Sequence, residues 1–467
     1  MEYHLSAHEH ERLTVVLARH SLLLTIIHRL HDNGATVYLV GGGVRNIMLA
    51  IGVEDIDIEV HGLSLEHVQD ILQQFGHVEL VGKSFGVLQI KGIPVEWSLP
   101  RTDSAGRKPI VAVDEHLPIE VALRRRDVTI NSMAIDLRKN IVIDPFGGRH
   151  DLEQKILRAT DPDFFVQDPL RFYRVMQFIA RFHMQPDAVL DTICSTISLA
   201  GLSRERIDAE FSKLLLKALT PSWGFRWLEK IGRLHEIVPE IAATRGVLQE
   251  LQWHPEGDVF EHTMQAVDAA AQQHYDDDTE RCSVIYATLC HDLGKVVSTR
   301  IEQGRIRSIG HDEAGVPLAR MLMKRISMNK RLYDVVALLV RHHMAPGSFI
   351  HEKAGAGAYK KLAVKLFPYA NMRMLALLAY ADKRGRNPQR MEPLMIELPE
   401  IDEFIRRSAA YGVLLKPEPP VLHGADLMGI VAPGEEMGNM LRHAYEIQIN
   451  KGIVDKVELI KRIQSSC

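Results

Sequence analysis

YLVGGGVRNIMLAIGVEDIDIEV, residues 38–60, decides how the rest of the chain is understood. Val37 to Val40 predicts a buried strand, Gly41-Gly42-Gly43 a turn, and Val44 to Ala50 a short helix opening on that turn. Glycines lack the Cβ that would hold backbone N–H groups away from a phosphate, so the turn is a candidate phosphate cradle. A second strand follows, in which Ile56, Ile58 and Val60 alternate with Asp55, Asp57 and Glu59. A period of two sends the apolar side chains into the core and the carboxylates out on one face. Residues two apart on a strand lie ~6–7 Å apart at Cα. That spacing suits Asp55 and Asp57 to sharing a divalent pair about 3.5–4 Å apart in an in-line phosphoryl displacement, and hard carboxylate oxygens imply Mg²⁺. A glycine triplet alone is often only a turn, and Asp-x-Asp alone is often a solvated strand face. Their succession in one strand, turn, helix and strand is what points to chemistry.

Around this unit, Glu11 to Asp32 has helical spacing and stops at Asn33-Gly34. Ser64 to Gln74 predicts a helix, and Val87 to Ile90 and Val95 to Leu99 predict strands. In the second of these strands Glu96 faces away from Val95, Trp97 and Leu99. It is either a further site carboxylate or an exposed strand acid. Thr102 to Pro118 is polar, contains Gly106 and Pro109, and is expected to be a mobile loop. The stretch LRRRDVTINSMA, residues 123–134, then leads to Asp144-Pro145-Phe146-Gly147-Gly148 and Asp151-Leu152.

This order resembles the bacterial class II tRNA nucleotidyltransferase and poly(A) polymerase family, which carries an RRDFTINA-like element and a DP-x-GG-x-x-DL element. The matching residues here are Arg125-Arg126-Asp127, Thr129-Ile130-Asn131 and Asp144-Pro145 to Asp151-Leu152. The resemblance implies an α+β fold: a nucleotidyltransferase head of mixed sheet and helices, followed by an all-helical neck, body, HD domain and tail. It implies catalytic Asp55, Asp57 and Glu96, with Mg²⁺ on the two aspartates. The nucleotide-binding residues it implies are Gly42, Gly43, Arg45, Arg125, Arg126, Asp127, Asn131, Asp168, Arg171 and Arg174. Arg125 and Arg126 suit a triphosphate, and Asp127 a ribose hydroxyl.

Asp168 and Arg171 stand three apart and so neighbour one another on a helix, as in the family's E-D-x-x-R element, although capping by Asp168-Pro169 also accounts for the aspartate. Cytosine and adenine each present an amino donor beside a ring-nitrogen acceptor, and a carboxylate beside an arginine complements both. Uracil and guanine present the reverse order. The resemblance therefore implies CTP and ATP as substrates, the tRNA 3′ end as partner, and untemplated addition of C, C and A. One position departs from the family: Gln167 stands where the family has glutamate. If the glutamate mainly orients the arginine, the Gln167 carbonyl oxygen serves, with weaker selection; if its charge is required, CCA addition is in doubt.

A second constellation begins at Glu261. His262, His291-Asp292 in LCHDLGK, His311 in GHDEAG, His342-His343, and Asp382 in YADKRGR occur in an order that resembles the HD phosphohydrolase domain. A lone histidine on an apolar helix is usually a satisfied core residue. The ordered set implies His262, His291, Asp292 and Asp382 as metal ligands. Lys295, His311 and His343 then stand beside a phosphate or a second metal. Imidazole with carboxylate suits Ni²⁺, Mn²⁺ or Co²⁺ better than Mg²⁺. His423-Gly424-Ala425-Asp426-Leu427 to Leu441 resembles the family's C-terminal helical segment. The expected parts are 1–152 head, 153–253 helical neck and body, 254–390 HD domain and 391–467 helical tail.

Composition agrees with an ordinary multidomain globular protein: 467 residues, 46% hydrophobic and 25% charged. The apolar run Ser21 to Ile27 is far shorter than the ~20 residues of a membrane span, and no basic n-region precedes it, so no membrane partner and a cytoplasmic location are expected. Cys194, Cys282, Cys290 and Cys467 show no CxxC spacing. A net charge of −4 argues against binding nucleic acid through a general positive field. Local patches remain: Arg124-Arg125-Arg126, Lys360-Lys361-Lys365 and Lys383-Arg384-Arg386-Arg390. Rival readings are a poly(A) polymerase or an enzyme adding only CC or only A, which share the head motifs, and an HD phosphohydrolase with an inactive RNA-binding head.

Overall fold

The computed structural model describes residues 1–81, 86–103, 111–388, 392–394 and 396–465. They form two compact units, Met1–Leu202 and Ser203–Cys467. Among the described residues no single helix is long and apolar enough to cross a membrane.

The first unit is built on a mixed sheet. Its strands, with a separate hairpin, are β1 (Glu2–His4), β2 (Thr36–Val40), β3 (Ile56–His61), β4 (Val78–Val81), β5 (Val87–Ile90), β6 (Val95–Ser98), β7 (Arg101–Asp103), β8 (Val111–Val113), β9 (Ala134–Asp136) and β10 (Ile141–Ile143). The main sheet runs β1-β10-β9-β2-β3-β6-β5-β4, and β7 pairs with β8 outside it. The β7–β8 pair corrects the expectation of a loop over 102–118; residues 104–110 lie outside the described set. Every neighbouring pair in the main sheet is antiparallel except β3 with β6. Val37, Leu39, Ile58, Val60, Val95 and Trp97 are fully or almost fully buried. The alternation therefore sends the apolar side chains inward as expected.

Three further expectations need correction. The neck, expected to be all-helical, also carries a short parallel strand pair, Ile156–Leu157 with Gln185–Pro186. The segment Glu11 to Asp32 is not one helix but two, Ala7–Ala18 and Leu23–Asp32, bent by 99° at the break. The first starts at a capping box made by Ser6 and Glu9. The carboxylates of the 55–59 stretch do not all face water either: Asp55 precedes the strand and is exposed, Asp57 is half-buried, and Glu59 is fully buried. The residues after the helix Ile119–Arg124 explain this, because Arg125 and Arg126 each bring Nη2 to 3.8 Å from Glu59 Oε2, and His61 Nε2 lies 3.0 Å from Oε1.

Among its described residues the second unit is helical apart from the hairpin Arg300–Glu302 with Arg305–Arg307. Its centre is the helix Val259–Ala271, in which all 13 residues are buried. A helix enclosed on all sides needs neighbours all round, and Asp278–Cys290 and Met372–Arg384 pack on it. Asp258, Asp277, Asn329 and Asn371 cap four of the helices by accepting from backbone N–H groups.

Two candidate active sites

The first site sits at the start of β3. Gly41 has φ +68°, and a Cβ there would lie 2.5 Å from Arg126 Nη1 and 3.4 Å from Asp57 Oδ2, so only glycine fits between the turn and the carboxylate. The helix that follows, Gly42–Met48, begins two residues earlier than the spacing predicts. Asp57 pairs with Glu96 across the parallel strands β3 and β6. Burial raises the Asp57 pKa, the Arg126 guanidinium opposes the rise, and the Asp55 charge adds to it. Glu96 is likewise raised, by burial and then by the Asp57 and Asp55 charges. Asp57 and Glu96, both raised, stand with the exposed Asp55 as a set of carboxylate oxygens whose chemistry fits a hard cation.

Behind this cluster lies a buried network. The Asp127 carboxylate accepts from Val128 N and Asn131 Nδ2 at 2.9 Å and from Arg174 Nε at 2.5 Å. Burial alone would raise Asp127, but Arg174 and Asn131 hold it at about 2. Asn131 Oδ1 accepts from Arg45, whose guanidinium also bonds Asn46 and lies 4.4 Å from the Phe182 ring centroid. Burial lowers Arg45 to about 9. Arg45, Asn131 and Arg174, expected at the nucleotide, are thus joined to Asp127 and brace one another. The Asp144 carboxylate accepts from Gly148 and Arg149 N–H, and Asp151 accepts from Thr129 Oγ1, so these motif acids hold local structure.

Asp168 accepts from Leu170 N, and the helix Leu170–Phe182 begins one residue later than expected, with Pro169 at its N-cap. Arg171 donates through Nη1 to Phe164 O and through Nη2 to Arg125 O, each at 2.5 Å. Two main-chain carbonyls therefore fix the plane of its guanidinium. Gln167 is exposed, and its amide donates to Asp163 O at 3.1 Å.

The second site gathers helix ends. His262 lies in the first turn of Val259–Ala271, His291 caps Asp278–Cys290, His311 begins His311–Ile326, His343 caps Lys330–His342, and Asp382 is in the last turn of Met372–Arg384. A Cβ on Gly294 would lie 1.9 Å from His311 O, so glycine is required for this turn to meet that helix and set Asp292 beside His311. Three imidazoles are oriented by their own chain, Nδ1 lying 2.6–2.8 Å from the carbonyls of Thr288, Ser308 and Val340. His262 Nδ1 lies 2.7 Å from Glu256 Oε1. Each Nδ1–H donated in this way leaves Nε2 with its lone pair facing the centre.

There the nitrogens converge on carboxylates. His262 Nε2 is 3.1 Å from Asp382 Oδ1 and 3.2 Å from His291 Nε2; His291 Nε2 is 3.3 Å from Asp292 Oδ2. On the other side, His311 Nε2 is 3.4 Å and His343 Nε2 3.9 Å from Asp292 Oδ1, and the two imidazoles are 3.1 Å apart. Asp292 thus stands between two groups of ligand atoms, His262, His291 and Asp382 on one side and His311 and His343 on the other, each within metal-sharing distance. Burial would raise Asp292 and Asp382, yet His291 with Lys295, and Arg386 with His262, hold both well below the usual carboxylate range. His343 falls to about 4 through burial and its imidazole neighbours. Mixed imidazole and carboxylate donors with fixed tautomers fit one or two transition-metal ions. Lys295 Nζ lies 2.7 Å from Asp292 Oδ2 and from Gln249 Oε1.

Several residues of this site escape sequence reasoning. Glu256 orients His262 and accepts from His254 at 2.9 Å, and its pKa falls to about 2 because those bonds outweigh burial. The His-x-Glu spacing just before the Asp258 cap was its signal. Arg386 pairs with both oxygens of Asp382, at 2.8 and 3.1 Å, and so belongs to this site and not to an RNA patch. Other members of the basic runs are also engaged within the protein: Arg124 with Asp161 and Lys360 with Glu418; Arg390 lies outside the described residues.

The chain matches the model of the poly A polymerase head domain over residues 37–158 and of the HD domain over residues 259–367. Asp168, Arg171 and Asp382 fall beyond those matches. It is 33% identical over 368 residues to the multifunctional CCA protein of Pasteurella multocida, covering 75% of this chain and 84% of that one. It is 35% identical over 323 residues to the multifunctional CCA protein of Paraburkholderia phytofirmans, covering 66% and 75%. The fold resembles the Bacillus stearothermophilus CCA-adding enzyme in complex with CTP, with TM-score 0.66, 20% identity and coverage of 96% and 98%. It also resembles the Thermotoga maritima CCA-adding enzyme complexed with tRNA, with TM-score 0.56, 18% identity and coverage of 96% and 95%. With both sites and both domain matches in one chain, the protein belongs to the multifunctional CCA protein family of class II tRNA nucleotidyltransferases that carry an HD domain.

Proposed function

We propose that the chain adds C, C and A in turn to the 3′ end of tRNA from CTP and ATP at the head, and hydrolyses phosphoesters at the HD site. The observation that carries this is the presence of both constellations in one chain, as in relatives named multifunctional CCA protein. The working parts are assigned as a head over 1–152, a neck and body over 153–253, an HD domain over 254–390 and a tail over 391–467.

In the head, Asp55 and Asp57 would hold Mg²⁺, and Glu96 is assigned as the third carboxylate because it stands in register with Asp57. An ion held there would supply a lowered pKa for the attacking hydroxyl and positive charge for the leaving phosphate. The Gly42-Gly43 backbone with Arg125 and Arg126 receives the triphosphate. Asp127 keeps Arg174 and Asn131 ordered, and Asn131 keeps Arg45 in place. Asp168 and the braced Arg171 present an acceptor beside a donor, the pattern that cytosine and adenine complement. Because Arg171 is held by the Phe164 and Arg125 carbonyls, its orientation does not depend on a charge at position 167.

At the second site, His262, His291, Asp292 and Asp382 would hold Ni²⁺, Mn²⁺ or Co²⁺, with His311 and His343 on a second ion or on the phosphate. Such an ion would supply an activated water and polarisation of a phosphoryl oxygen. Lys295 and Arg386, both lining the cleft, supply positive charge for the phosphate. Substrates of this site are 2′,3′-cyclic or terminal phosphates.

The test uses tRNA transcripts lacking CCA, ending in CC, or complete, each given all four nucleotides, with the products sequenced. The expected products are CCA, A and no addition. Runs of A on the complete transcript would identify a poly(A) polymerase instead.

A further inference from the structure

We propose that Trp253 forms a nucleobase-stacking subsite of the HD cleft, so that this site favours phosphoesters attached to a nucleoside over the phosphate group alone. The proposal rests on the phosphohydrolase reading of that cleft. Of the four tryptophans, Trp97 and Trp227 are buried and Trp223 is half-buried, whereas Trp253 is 61% exposed. Trp253 lines the same cleft, of about 710 Å³, as Asp292, Lys295, His311 and Arg386. A large apolar ring is thus left in water beside the charged groups that suit a phosphate, which is where the base of a nucleotide would reach.

The ring stands on fixed backbone. Trp253 N and His254 N both donate to Glu250 O at 2.9 Å, and the Glu250 carboxylate accepts from Ile306 N of the hairpin at 3.3 Å. That hairpin runs through Ser308 to His311, whose Nδ1 lies 2.8 Å from Ser308 O. On the other side, His254 bonds Glu256, the residue that orients His262. Trp253 is therefore tied to both ligand groups of the site, and a flat ligand stacking on it sacrifices little additional chain freedom. Every base has a π-face, so such a platform accepts a nucleoside without choosing among the four bases. Base selection stays with the head.

The test compares full-length wild type with Trp253→Ala and Trp253→Phe, all supplied with Mn²⁺. Calorimetry measures binding of uridine 2′-monophosphate and of inorganic phosphate; uridine is used because the head selects against uracil. Trp253→Ala is expected to weaken uridine 2′-monophosphate by about tenfold or more and to leave inorganic phosphate unchanged, while Trp253→Phe stays close to wild type. In parallel, KM for uridine 2′,3′-cyclic phosphate rises in Trp253→Ala and KM for glycerol 1,2-cyclic phosphate does not. Equal weakening of both binding ligands, or nucleotide binding unaffected by the loss of the indole, would overturn the subsite. If wild type cleaves neither cyclic phosphate, the hydrolase reading fails by itself, and the calorimetric comparison still decides the subsite.

Discussion

Asp57 in the head and Asp292 in the HD cleft are both candidate metal-holding aspartates, and burial alone would raise both. Asp57 does stay raised, because Asp55 adds like charge and the Arg126 guanidinium does not outweigh burial. Asp292 goes the other way, because His291, Lys295 and His262 surround it. The head is thus a cluster of acids in which burial and like charge outweigh the neighbouring guanidinium, a donor set suited to a hard cation. The HD site is a carboxylate already enclosed by bases, whose imidazole nitrogens need a softer ion. The same residue type at the centre of two sites is given two chemistries by its neighbours.

The largest effect that separates the two sites is loss of a central ligand. Asp57→Ala is expected to lower nucleotide addition at least about a thousandfold, since several kcal/mol of charge stabilisation goes with the ion, and to leave phosphoester hydrolysis unchanged. Asp292→Ala should do the reverse. Rates of both reactions for both variants check this; a variant that lost both activities would mean that the sites are not separate.

Base choice comes next. Arg171→Ala should cost about ten- to a hundredfold in discrimination of CTP and ATP against UTP and GTP, as expected for losing a hydrogen bond to a charged group worth ~1.5–3 kcal/mol. Competition among the four nucleotides reads it out, with HD hydrolysis as the unaffected control. For the second site, Glu256→Gln weakens the hold on the His262 tautomer. Metal affinity there should fall by about ten- to a hundredfold, measured by titration, while nucleotide addition is unchanged.

The smallest effect is expected from Gln167→Glu. Gln167 is exposed and bonds Asp163, and Arg171 is held without it, so selectivity should stay within about threefold, in the range of weak surface interactions. A much larger gain in selectivity would mean that the charge missing at this position matters.

The head was legible in the sequence because its logic is local. Strand periodicity set Asp57 opposite Ile56 and Ile58, and the face of Glu96 followed from its neighbours. Whether Glu96 would meet Asp57 depended on the parallel pairing of β3 with β6, which periodicity does not encode. Periodicity also assigns a face without saying what covers it, which is why Glu59 was expected in water and lies buried under Arg125 and Arg126. The break after Ala18 contains neither proline nor glycine, and the spacing of apolar residues continues across it. The candidate HD ligands, which the structure brings together, were legible as an ordered set of histidines and aspartates. Glu256, His254 and Arg386 were missed although they stand close in sequence, the first two in a His-x-Glu just before the Asp258 cap and Arg386 four residues after Asp382; they lie outside the helices that carry the motif, and spacing alone does not say that they turn towards the site.

The two metal chemistries can be compared directly in one preparation. The protein is stripped with a chelator, then given Mg²⁺ alone, then Mg²⁺ with Ni²⁺, Mn²⁺ or Co²⁺, while CCA addition to a truncated tRNA and hydrolysis of a 2′,3′-cyclic phosphate are followed together. Addition should return with Mg²⁺ alone, and hydrolysis only when a transition metal is supplied. Recovery of both reactions with Mg²⁺ alone, or of neither until a transition metal is present, would contradict the assignment of two sites with different metal chemistry.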